Sequence, residues 1–119
     1  MAFEWAKNPA NDNFRRAELD AQRLLRENKL REYKLFTDTV QKWLKTRANE
    51  IKPENSPRMG DAQRMLIEDT IDGVQQLLTT TERDALFAEE HINDTEAYNR
   101  AKLSRDTLYA TYIEAEFNL

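Results

Sequence analysis

FRRAELDAQRLLRENKLREYKLFTDTVQKWLKTRANEIK, residues 14–52, decides the fold. It contains no Gly or Pro and is dominated by Leu, Arg, Glu, Lys, Gln and Ala, the residues that lose least on entering a helix. As one helix it would span about 58 Å at about 1.5 Å per residue. A compact domain of this length has a radius of gyration of roughly 13 to 14 Å. Such a helix must break, or protrude to meet a partner.

At about 100° per residue, Phe14, Ala17, Ala21, Leu24, Leu25 and Leu35 share an arc of roughly 100°, and Phe36, Val40, Trp43, Leu44 and Ile51 centre about 100° away. The apolar face therefore changes between Glu27 and Tyr33. A kink near Asn28 and Lys29 explains this, as does a long helix that trades one partner for another. Two helical segments are expected, opened by Asp12 or Asn13 as N-cap.

Working outward, Pro53-Glu54-Asn55-Ser56-Pro57 ends this unit, because two prolines four apart cannot continue a helix. Asp61 opens a second helix, with Met65, Leu66, Ile67, Thr70, Ile71, Val74, Leu77 and Leu78 at helical spacing. Thr79, Thr80 and Thr81 are poor helix interior, and Thr79-x-x-Glu82 and Thr81-x-x-Asp84 look like helix starts, so a short third helix is expected over residues 82–91. Asn93-x-x-Glu96 repeats the signal and opens a last helix over residues 95–117. Ala97, Ala101, Leu108, Tyr112 and Ala115 line one stripe of it, with Tyr109, Ile113 and Phe117 alongside. Strand and hairpin signals are weak. The expected architecture is a single all-α domain, either a four- to five-helix bundle or a long helical hairpin. It comprises an N-terminal arm (1–12), a long basic helix (13–52), a turn (53–60) and acidic helices (61–119).

Composition narrows the chemistry. Of the 119 residues 34% are charged and 39% hydrophobic, polar for a globular domain yet sufficient to fold. The two glycines, Gly60 and Gly73, cannot build a phosphate-binding loop. Without cysteine there is no disulfide, thiolate nucleophile or thiolate zinc site, and the single His91 supplies no histidine pair. It is expected at the surface or at a helix end. The two serines, Ser56 in a proline-rich turn and Ser104 in a helical pattern, do not suggest a triad. Glu68, Asp69 and Asp72, and Glu89 with Glu90, read as solvated helix faces, since carboxylates are rarely buried. Trp43 reads as a core or interface anchor, and Tyr98, Tyr109 and Tyr112 lie on a helix too acidic to stack bases. No catalytic residue, metal or cofactor is expected. Residues 1–13 lack the apolar run of a secretory signal, and nowhere are there enough consecutive apolar residues to span a membrane. The expected location is cytoplasmic.

Charge is the most informative feature. Residues 1–59 hold 13 Lys or Arg against 9 Asp or Glu, net +4, and residues 60–119 hold 5 against 13, net −8, which together make the −4 of the chain. In the first helix Arg15, Arg16, Arg23, Arg26 and Lys34 fall within roughly 100° of arc and form a basic ridge about 30 Å long. Such a ridge suits phosphates or an acidic partner. The acidic half suits the basic half of another copy, or a basic protein.

The order of features carries a resemblance. Asn13-Phe14-Arg15-Arg16-Ala17-Glu18-Leu19-Asp20-Ala21-Gln22 leads through Arg31-Glu32-Tyr33-Lys34-Leu35 to Val40-Gln41-Lys42-Trp43. The Pro57-Arg58-Met59-Gly60 turn follows, then an acidic helix over residues 61–78. Residues 13–78 resemble the region that follows the DNA-binding domain in small terminase subunits, the DNA-packaging family of lambda-like tailed phages. The resemblance implies a non-enzymatic oligomer that selects viral DNA and delivers it to the large terminase ATPase. That family carries a winged helix-turn-helix before this region, where this sequence has 12 residues. The basic ridge is therefore the expected contact with double-stranded DNA. Phe36, Val40, Trp43, Leu44, Met65, Ile67, Ile71 and Val74 are the expected hairpin core and subunit interface. The alternative expectation is a helical adaptor or inhibitor that binds a basic protein through the acidic half.

Overall fold

The computed structural model describes residues 9–118, with side chains from residue 12 onward. Three α-helices account for nearly all of it: α1 (Pro9–Glu50), α2 (Asp61–Glu90) and α3 (Thr95–Asn118). Among the described residues there is no strand. The all-α expectation holds, with three helices rather than four or five. The molecule measures 75 × 21 × 20 Å with a radius of gyration of 21.1 Å. Its length comes from α1, whose 42 residues span about 63 Å.

Helix α1 begins at Pro9, earlier than either expected cap. Proline suits a first turn because the N–H it lacks has no intrahelical partner there. Asp12 lies within that first turn, where its charge complements the helix dipole. Residues 1–8 of the expected arm lie outside the described residues. Beyond the start, α1 runs unbroken through Asn28 and Lys29, so the shift of apolar face occurs within one helix and is not a boundary between two. The second stripe is docked: Val40, Leu44 and Ile51 are buried, and Phe36 and Trp43 are half-buried.

Helix α2 likewise runs through Thr79, Thr80 and Thr81, where a break was expected. The threonines are accommodated by donating backwards: Thr79 Oγ1 to the Gln75 carbonyl at 3.0 Å and Thr81 Oγ1 to the Leu77 carbonyl at 2.8 Å. Thr81 is fully buried and also reaches the Ser104 carbonyl of α3 at 3.1 Å, while Ser104 Oγ donates to Asp84 Oδ2 at 2.6 Å. Polar groups that look like a helix break thus lock α2 to α3. Met65, expected in the core, is 62% exposed. It lies nine residues, or about 180°, from buried Val74 on the opposite face of α2.

Two apolar clusters hold the body together. One joins Val40, Leu44, Val74, Leu78, Leu108 and Ala115 from all three helices, with Phe36, Trp43, Ile71, Leu77 and Tyr112 packed against them. The other joins Leu30, Tyr33, Ala88, Ala97 and Ala101. Small alanines bring α3 close to its neighbours, whereas α1 meets α3 mainly through long side chains. Trp43 packs edge-on against Tyr112 at 5.4 Å, and the Arg105 guanidinium sits 4.9 Å from the Tyr109 ring and 5.3 Å from Phe36.

Each connection is held by an arginine. Arg64 donates to the carbonyls of Ile51 (2.9 Å) and Ser56 (3.1 Å), satisfying groups at the end of α1. Arg26 donates to the Ile92 carbonyl (3.0 Å) and Thr95 Oγ1 (2.9 Å), bridging α1 to the second turn. There Asp94, one residue after the expected Asn93, caps α3 by accepting from the N–H groups of Glu96 and Ala97.

Candidate functional site

Two surfaces stand out, and neither is an enclosed cleft. The first is the N-terminal part of α1. From Asp12 to Leu25 every residue is exposed, including Phe14 (64%), Leu24 (57%) and Leu25 (58%). Arg26 is the first residue after Asp12 that is partly buried. Among the described residues the first apolar stripe therefore has no cover, and this segment forms an arm that runs beyond the α2–α3 turn.

The basic ridge does not act as one surface. Arg26 is committed to Ile92 and Thr95 and also lies over the Tyr98 ring at 5.6 Å, so it is a structural brace. Arg23 is exposed with Asp20 and Glu27 each at 3.8 Å, distances that leave the guanidinium weakly held. Arg15 and Arg16 are exposed on the arm. Arg16, Arg23 and Arg26 line one hollow with Leu19, Asn93 and Thr95. Lys34 stands apart from it, on the wall of the second surface.

That second surface is a groove between α1 and α2. It consists of four hollows that adjoin through shared residues: Leu30, Lys34 and Glu89 link the first two, Gln41 the next, and Ala48, Ile71 and Asp72 the last. It runs along α1 from Glu27 to Ala48, about 32 Å at about 1.5 Å per residue, and continues onto Ile51, Lys52 and Pro53 just past the helix end. No α3 residue lines it. The walls differ in charge. From α2 come Glu68, Asp72, Glu82 and Glu89 with no basic residue, and from α1 come Arg31, Lys34 and Lys45 together with Glu27 and Asp38, with Lys52 following just past the helix end.

Of the expected core and interface residues, Val40, Leu44 and Val74 are buried. Phe36 and Trp43 face α3, Ile71 lines the groove, Ile67 is half-buried and Met65 faces away. His91 ends α2, stacked on Phe87 at 4.2 Å. The acidic residues do not converge: among the described residues no group of three or more His, Asp or Glu is placed to hold a metal ion. Burial and a hydrogen bond with Tyr98 push the Tyr33 hydroxyl up to about 12, and burial raises Tyr112 with Glu116 adding to it. Both shifts favour the neutral phenol and belong to packing between α1 and α3. Among the described residues no helix is long and apolar enough to cross a membrane.

No protein-family model matches the chain, and no curated protein or solved structure matches it either. The groove and the bracing roles of Arg26 and Arg64 escaped the sequence reading. Both depend on which residues from distant segments meet. The segregated charge of the two halves was the one signal that pointed to the groove.

Proposed function

We propose that the chain is a non-catalytic, self-associating assembly protein that uses the α1 arm to engage its partner. The observation that carries this reading is the arm itself. A helix needs about 12 to 15 residues to be even marginal alone in water, and most helices are stabilised by burying an apolar face. The arm presents Phe14, Leu24 and Leu25 with no described residue packed over them. Such a face is a surface for another chain.

The resemblance to small terminase subunits gives the proposal its specific form, an oligomer that links viral DNA to the large terminase ATPase. Arg15, Arg16 and Arg23 are then the phosphate contacts, and Lys34, on the groove wall, is not one of them. Arg26 contributes through bracing. Reversing Arg15, Arg16 and Arg23 to Glu should abolish DNA retention at low salt, and unchanged retention contradicts the DNA role. Replacing Phe14 and Leu24 by Asp should release the ATPase partner in a pull-down while leaving the helical signal of the body intact. The acidic α2 wall favours a second reading, an adaptor for a basic protein. Capture of such a protein without any DNA retention would select it.

A further inference from the structure

We infer that the α1–α2 groove is the face on which two copies pair, with a two-fold axis running along the groove. This interface rests on the self-association proposed above and names the surface that performs it.

A two-fold axis parallel to the helices sets α1 of one copy against α2 of the other at the same height along the bundle. In three of the hollows a base on the α1 side lies across from an acid on the α2 wall. Lys52 shares a hollow with Glu68, Lys45 with Asp72, and Lys34 with Glu82 and Glu89. The rotation therefore places Lys52 opposite the other copy's Glu68, Lys45 opposite its Asp72 and Lys34 opposite its Glu82, and each pairing occurs twice. Glu27 and Asp38 are the two acids on the basic wall, and each has a base, Arg31 or Lys34, lining the same hollow. An isologous interface needs one surface complementary to itself, and a groove with oppositely charged walls is such a surface.

Packing and area agree with this pairing. Leu30, Leu44, Ala48, Ile71 and Ala85 line the floor, and Leu86, 57% exposed, stands at the rim where a second copy covers it. A face about 32 Å long and two helices, about 20 Å, wide offers roughly 640 Å² per copy, within the range of a standard interface. The product is a four-helix layer of two α1–α2 hairpins, with both α3 helices outside. Pairing through the arms is less favourable, because Glu18 and Asp20 flank the arm's apolar stripe and would meet their own copies. In the groove dimer both arms leave from the same end and stay free for the partner.

Charge reversal tests this directly. Lys45→Glu with Lys52→Glu should raise the dimer dissociation constant by on the order of tenfold or more, and Glu68→Lys with Asp72→Lys should do the same. All four residues are exposed, so helicity should not change. Mixing the two variants should restore a dimer containing one copy of each, measured by light scattering with one copy mass-tagged. Restoration also shows that both variants are folded. Association of either variant as tight as that of the unaltered chain overturns the groove and leaves self-association standing. A mixture that stays monomeric overturns the two-fold pairing. An unaltered chain that remains at 14.1 kDa in the high micromolar range overturns both the groove and the self-association.

Discussion

Residues 12–25 and 30–51 belong largely to one unbroken helix, yet they differ in almost every other respect. The later segment buries Leu30, Tyr33, Val40, Leu44 and Ile51 against α2 and α3, whereas the earlier one buries nothing. Both carry an apolar stripe at helical spacing. The difference lies in what stands beside them: the docked stripe meets two helices in the same chain, and the arm, exposed on every face, runs past the described end of both. Amphipathicity alone therefore does not report whether an apolar stripe is covered within the same molecule; the arrangement of the helices does.

Truncations in the two segments should separate sharply. Leu108→Ala, in the core where all three helices meet, should cost about 2–5 kcal/mol in denaturant unfolding, whereas Leu24→Ala on the arm should change the stability of dilute protein by less than about 0.5 kcal/mol. A large cost at Leu24 would mean that the arm packs on its own body. High pH probes the docked segment alone. Because Tyr33 titrates at about 12 when folded and near its ordinary 10.0 when unfolded, its stabilisation is complete below pH 10. It should be lost as pH rises toward 12, by on the order of 2 kcal/mol. Tyr33→Phe should flatten that decline, and an unchanged pH profile contradicts the burial of this hydroxyl.

Two smaller effects sharpen the comparison on α2. Ser104→Ala leaves the buried Asp84 carboxylate without its hydroxyl donor and should cost about 1–3 kcal/mol in thermal unfolding. Gly73 sits within α2 on an exposed face, with nothing within 4 Å of an added Cβ. Gly73→Ala should therefore stabilise by about 0.5–1 kcal/mol, and a loss would mean that this face is already covered.

Periodicity made the helical class, the end of α1 before Pro53 and the buried stripe of α3 legible before any coordinates. Ala97, Ala101, Leu108 and Ala115 are buried as their spacing predicts. The shift of apolar face between Glu27 and Tyr33 was also legible, but not its meaning, since a kink and a change of partner leave the same pattern. Propensity misread Thr79, Thr80 and Thr81, because β-branched residues can stay helical by bonding backwards to the preceding turn and, at Thr81, across to α3. Met65 was misplaced by membership of an apolar run rather than by phase. The ridge looked uniform on a helical wheel, and only the fold shows that Arg26 turns inward to brace Ile92 while Lys34 belongs to the groove. The acidic wall was visible as net charge, but its alignment with Lys34, Lys45 and Lys52 depends on the register of α1 against α2.

The central claim is that α1 is supported along its later half and unsupported along its arm. Amide hydrogen exchange in dilute protein, resolved over residues 12–25 and 36–48 of the same helix, tests it most directly. The account predicts that amides 36–48 exchange only with global unfolding and that amides 12–25 exchange orders of magnitude faster, gaining protection when the partner of the arm is added. Equal protection of the two segments in dilute protein would contradict it.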